Sequence, residues 1–353
     1  MKDKELCCAR RRTSIGGQAL MEGIMMRGPK KSAMAVRRPN GEIFFEEEEI
    51  NNKKRPAICR WPIIRGVFGF VDSMIIGYKA LMRSAEIAME EIPEEGEISA
   101  QEGQEAKVQE ENAKEESKGI SKGAMTAVVV IATVLGIALA VGLFIWLPSF
   151  LYNLISDVTP STWELAENRY LRSVFEGLLK IAVLVLYMAL VSLMKDIRRT
   201  FMYHGAEHKT IFCYENGLPL TVENVRAQRR FHPRCGTSFL VLMLLISIVI
   251  GLFIPPSIEG VNPMLYTVIR ALIKLLLIPL TMGIGYEVLK FAGRHENIVT
   301  RIISAPGMWL QRITVKEPTD DMIECAVKAF IAVLPEEEKE AETIAAQGDC
   351  VQE

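Results

Sequence analysis

Apolar residues along this chain gather into four long runs, at residues 124–147, 174–194, 237–254 and 265–289, with polar stretches between them. Each run approaches or exceeds the roughly 18–20 residues that a helix needs to cross a bilayer. The pattern predicts a mainly α fold: a helical integral membrane protein with about four transmembrane helices. Two of the runs carry charge. Glu176 and Lys180 fall in the second, and Arg270, Lys274 and Pro279 in the fourth. Such residues serve a buried function or, near a helix end as here, snorkel, and snorkelling is the favoured expectation; pairing of Glu176 with Arg270 is the alternative.

Before the first run, the pattern predicts a small cytoplasmic N-terminal α+β module at residues 1–89. Apolar stretches flank an Arg-Arg-Pro-Asn-Gly turn at residues 37–41, the signature of a β-hairpin. Glycine and proline density at residues 25–29 predicts a non-helical loop. Arg65, Asp72, Lys79 and Glu86 recur every seven residues, which on a helix makes one narrow polar stripe in an apolar cylinder. Evenly spaced charges make insertion costly, so an amphipathic helix lying at the membrane surface is expected at residues 61–82 rather than a fifth span. Residues 90–123 read as an acidic disordered linker. The four-helix core should occupy residues 124–290, followed by a cytoplasmic C-terminal segment at 291–334 and an acidic tail at 335–353. That segment contains an amphipathic helix after Thr319, a residue placed to cap it, and its expected role is to pack on the N-terminal module.

The composition is 50% hydrophobic with 24% charged residues, which is reconciled only by segregating the two kinds. The formal charge of −2 conceals a similar division. Residues 90–118 hold 11 Glu against 3 Lys, and residues 335–353 hold seven acids against one Lys, leaving the membrane body strongly basic. That suits contact with a lipid bilayer bearing anionic headgroups; no nucleic-acid motif accompanies the charge. Basic residues crowd the segment between the second and third runs, whereas residues 255–264 contain no Lys or Arg. The positive-inside rule therefore predicts a multi-pass protein of the cell membrane with both termini cytoplasmic. No apolar signal-peptide region opens the chain. Seven scattered cysteines without a C-x-x-C pair predict reduced thiols rather than a disulfide framework.

Candidate chemistry is concentrated at residues 195–239, a polar island that holds three of the four histidines. His204 and His208 are spaced to share one helix face, with Glu207 beside them in an H-x-x-E-H order. His232 and Cys235 follow, offering borderline and soft ligands suited to zinc. The first pair is expected on an extension of the second span, the other pair just before the third. Three outcomes are open. His204, His208 and His232 could hold zinc with a free position, where Glu207 is the catalytic base of a metal-dependent hydrolase. Addition of Cys235 would close the tetrahedron and make the zinc structural. Without metal, the histidines make ordinary hydrogen bonds and the protein is a non-catalytic scaffold for a membrane-embedded or cytoplasmic protein partner. Cys213 as a nucleophile and His295 as a spare ligand are weaker candidates.

Several stretches also carry a resemblance: GGQALMEGIMMRGP, YHGAEHKTIFCYENG, HPRCGTSF, APGMWLQRIT and KEPTDDMIE, in that order. In these the chain resembles the YqhQ-like family of bacterial multi-pass membrane proteins, over most of its length except the acidic linker and both tails. The resemblance implies a metal-associated membrane protein of a family often described as predicted metal-dependent enzymes. It supplies no substrate. His204, Glu207, His208, His232 and Cys235 all lie within the matching stretches.

Overall fold

A computed structural model describes residues 13–50, 56–89, 122–158, 169–255, 258–295, 297–336 and 338–339. The expected acidic linker and acidic tail fall almost wholly outside these residues, as do Cys7, Cys8 and Cys350. Four strands, β1 (Gly16–Leu20), β2 (Gly23–Arg27), β3 (Lys31–Arg37) and β4 (Ile43–Glu49), form an antiparallel meander in that order. The helices are α1 (Ile64–Ala88), α2 (Lys122–Val141), α3 (Leu147–Val158), α4 (Arg169–Val191), α5 (Lys195–Glu215), α6 (Val222–Arg226), α7 (Gly236–Gly251), α8 (Pro263–Leu276), α9 (Ile278–Arg294), α10 (Ile298–Thr314) and α11 (Asp320–Ala332). The protein is thus mainly helical with a small N-terminal antiparallel sheet.

The hairpin predicted around Pro39-Asn40-Gly41 joins β3 to β4, with Arg37 opposite Ile43 and Gly41 at a φ of +88° that favours glycine. Residues 25–27, predicted as loop, are strand instead. Their glycine and proline neighbours mark the ends of β2, which pairs along its length with both β1 and β3. Successive residues of a strand face opposite ways, and here both faces are covered. Ile24, Met26, Ala33 and Ala35 pack with Tyr203 and Ala206 of α5 and Met322 and Phe330 of α11. Leu20, Met25, Met34 and Val36 pack against Ala80 and Ile87 of α1. The sheet is therefore closed on one side by helices from the far end of the sequence. Thr319 stands at the N-cap of α11, but its side chain makes no capping hydrogen bond.

Among the described residues, two helical stretches are long and apolar enough to cross a membrane, Val130–Ile155 and Tyr170–Val191; a third counts if Met264–Leu276 and Ile278–Ala292 form one bent span. Four were expected from the apolar runs. The third run folds as α7, a 16-residue helix that rises roughly 24 Å against a hydrocarbon core of about 30 Å. The fourth run bends by 41° between α8 and α9, where Pro279 removes a backbone donor and disfavours a continuous helix. The charges of the second and fourth runs do not snorkel, contrary to the favoured expectation. Glu176, Lys180 and Arg270 are buried, and Arg270 approaches Glu176 at 3.6 Å as anticipated.

The predicted extension of the second span is interrupted. α4 ends at Val191, and Met194 takes an extended conformation before α5 begins. The polar island is consequently a separate helix, a short helix and connecting loops, wedged between the sheet and the ends of α7 and α10.

Candidate metal centre

α5 is polar in sequence, yet Tyr203 and residues 205–214 are all buried. One flank meets β1 and β2; another meets α11 and the segment leaving α10. Gly205 makes that second contact close, since a Cβ there would lie 2.0 Å from the Lys316 carbonyl oxygen. The same segment donates from the Lys316 N–H to the Phe201 carbonyl at 2.9 Å. The end of α10 is thereby held against His204.

His204 and His208 stand one helical turn apart with ring centroids 4.4 Å from each other. Cys235 is the N-cap of α7, where its sulfur accepts from the Thr237 N–H at 3.4 Å. His204 Nε2 lies 3.1 Å from Cys235 Sγ. One ligand atom from each of His204, His208 and Cys235 lies within 4.8 Å of the others. In a tetrahedral zinc site, ordinary bond lengths place nitrogen and sulfur ligands about 3.6 Å apart, so the His204–Cys235 gap needs only a small expansion.

The remaining ring nitrogens fix the tautomers. His204 Nδ1 is 3.0 Å from the Thr314 carbonyl oxygen, and His208 Nδ1 is 2.6 Å from that of Arg230. A carbonyl only accepts, so each Nδ1 carries a proton and each Nε2 presents a lone pair on the side of the sulfur. Metal-binding histidines are held in this manner. Burial pushes the His208 pKa down, outweighing the opposing contact with Cys235, and keeps the ring in the neutral form a metal requires. The loop supplying the Arg230 carbonyl is itself anchored: Glu317 pairs with Lys209 and Arg230, and Lys209 Nζ donates to the Arg226 carbonyl at 2.7 Å.

Glu207 points elsewhere. It is buried, and Oε1 accepts from the Gly17 N–H of β1 at 2.9 Å. Burial raises its pKa, partly offset by His204 and by that N–H. His232 is adjacent to the cluster but outside it, with its ring centroid 5.6 Å from that of His208. Its Nδ1 accepts from the Arg234 N–H at 3.2 Å, and its Nε2 lies 3.8 Å from Glu215. Burial works against the charge on Glu215, but His232 and Arg234 outweigh it and hold the carboxyl at about 2. The His232 backbone is clamped by buried Gln311, which accepts from its N–H at 2.9 Å and donates to its carbonyl at 2.8 Å. Cys213 is fully buried, with its thiol 3.4 Å from the Pro219 carbonyl, and His295 bonds to the Phe291 carbonyl away from the cluster.

Of the sequence candidates, then, three converge: His204, His208 and Cys235. Sequence reasoning passed over the carbonyls of Thr314 and Arg230, which as backbone groups leave no trace in residue identity. It also passed over Glu215 and Gln311, although a glutamine on the apolar side of the APGMWLQRIT helix was a detectable signal.

Fold and site together define a largely helical protein that carries a His-His-Cys cluster where apolar helices meet a small sheet. The chain belongs to the family described as "Protein of unknown function (DUF1385)", which it matches over residues 61–336, a range that holds every candidate ligand. It is 33% identical over 324 residues to "Uncharacterized protein YqhQ" of Bacillus subtilis (strain 168), covering 91% of this chain and 92% of that protein. No solved structure matches it.

Proposed function

We propose that this is a multi-pass protein of the cell membrane that binds zinc through His204, His208 and Cys235 on its cytoplasmic face, and that the centre hydrolyses a membrane-proximal substrate. The observation that carries the metal is the pairing of both Nδ1 atoms with backbone carbonyls, which turns both Nε2 lone pairs toward the Cys235 sulfur. Two imidazoles and a thiol favour zinc over hard, oxygen-seeking cations. Zinc with three protein ligands keeps a position for water, whose pKa it lowers toward about 7. Glu207 is the base: burial raises its proton affinity, it precedes His208 in the chain, and it lies near enough to His204 for the two to interact electrostatically. Membrane residence is supported by the outward face of α2, where Leu135 and Ile137 are 64% and 60% exposed among other apolar side chains. A surface of that kind is unfavourable in water and neutral in lipid. The basic residues of the 195–234 segment support cytoplasmic termini.

A second reading has its own observation. The Glu207 carboxylate is engaged by Gly17, and His208 and Cys235 are buried. This favours a non-catalytic scaffold whose zinc ties α5 to α7, with the sheet and basic surface engaging a protein partner. Glu207→Gln separates the two. Metal retained with cellular function lost supports hydrolysis; metal and function both retained support the scaffold.

A further inference from the structure

At the end of the apolar helices remote from the His-His-Cys cluster, one buried carboxylate is outnumbered by cations. Glu176 receives Arg172 at 3.1 Å, Arg270 at 3.6 Å and the ammonium of Lys274. Lys180, one turn further along α4, is buried and among the described residues has no hydrogen bond or ion pair. Arg270 is fully buried; Nη1 donates to the Pro255 carbonyl at 2.7 Å, while Nε and Nη2 make no hydrogen bond among the described residues. Buried charge persists only when it is paired, and among the described residues Arg270, Lys274 and Lys180 have a single carboxylate, Glu176, within reach.

Both lysines line a cavity of about 280 Å³ whose other walls are mostly apolar, including Val141, Phe144, Leu244 and Ile278, with Ser247 and Thr281 among them. That volume lies near the lower end of small-ligand sites, roughly 300 Å³. A cationic end and an apolar body are complementary to an anionic amphiphile. We propose that this cavity binds a lipid through its phosphate, which sits between Lys180 and Lys274 while the acyl chain fills the apolar part. Phosphate supplies several oxygens to accept from both ammonium groups. The inference rests on α2, α4 and α7–α9 lying in a bilayer, as proposed above.

The test uses the full chain in neutral detergent, titrated with phosphatidylglycerol, phosphatidylcholine and inorganic phosphate and followed by native mass spectrometry. One phosphatidylglycerol should bind at least tenfold more tightly than phosphatidylcholine. Lys180→Met and Ser247→Phe, which fills the cavity, should each weaken it by tenfold or more. Because Lys180 makes no hydrogen bond or close ion pair among the described residues, Lys180→Met should also keep or raise the thermal midpoint without lipid. Equal binding of the two lipids, or phosphatidylglycerol binding unchanged in folded Lys180→Met, overturns the proposal. So does phosphate binding that Ser247→Phe leaves intact, which would make the site one for a free anion. Recovery of the chain in the aqueous fraction without detergent would instead remove the membrane reading itself.

Discussion

Glycine is normally a poor helix residue, about 1 kcal/mol worse than alanine, so Gly205→Ala should stabilise α5 if helix propensity governed the position. It does not, because the added methyl would meet the Lys316 carbonyl at 2.0 Å. We expect a net loss of about 1–3 kcal/mol from overpacking, read as a lower unfolding midpoint, with weaker metal retention as the Thr314 carbonyl is pushed off His204. A rise in the midpoint would show that the contact is loose. Glu215 offers a pH readout. Its carboxyl is held at about 2 instead of 4.5, so its stabilisation is complete above pH 4.5 and is lost as pH falls toward 2. Glu215→Gln should be less stable at pH 7 and show a flatter decline between pH 4.5 and 2; parallel curves would contradict this. The residue scale is also where the sequence said least. By sequence, His232 belonged to the open site and Cys235 only to the closed one; the structure reverses them, with Cys235 beside the two histidines and the His232 ring met by Glu215 and Arg234. His232→Ala should therefore keep the metal, while Cys235→Ser should lose it.

Among the elements, α11 matters most for its size. Phe330 is fully buried and touches the Tyr214 ring at 5.1 Å between centroids. Phe330→Ala should cost about 3–5 kcal/mol, and denaturation should show the sheet and α5 weakened together, since all three share one core. Loss of α11 alone, with the sheet intact, would mean the core is divided. The β3–β4 hairpin was legible because Pro-Asn-Gly imposes its turn locally. β1 and β2 were not, because their glycines and prolines look like loop until the pairing partners are known. The same limit applied to the apolar helices: apolar composition located all the runs, but helix length and the bend before Pro279 decided which are long enough to span a membrane. The amphipathic α1 was legible from its seven-residue stripe, whose Arg65 pairs with Glu287 of α9.

For the whole molecule, the informative relation is between the two ends of the sequence. β2 and β3 near the start and α11 near the end enclose α5, and α5 holds two of the three converging ligands against the N-terminus of α7. The candidate centre thus lies where the sheet-bearing half joins the apolar helices, and metal occupancy should couple their stabilities. The clustering of histidines and cysteine was visible in the sequence, as was their position between two apolar runs. The convergence was not, because it depends on the segment after α10 folding back over Gly205. Metal content of the full chain, purified in detergent without chelators, addresses the central claim directly. About one zinc per chain is predicted for the native protein and for His232→Ala, falling at least tenfold in His208→Ala and Cys235→Ser. Native protein retaining less than about a tenth of an equivalent, where a preformed site should hold its ion tightly, would contradict it.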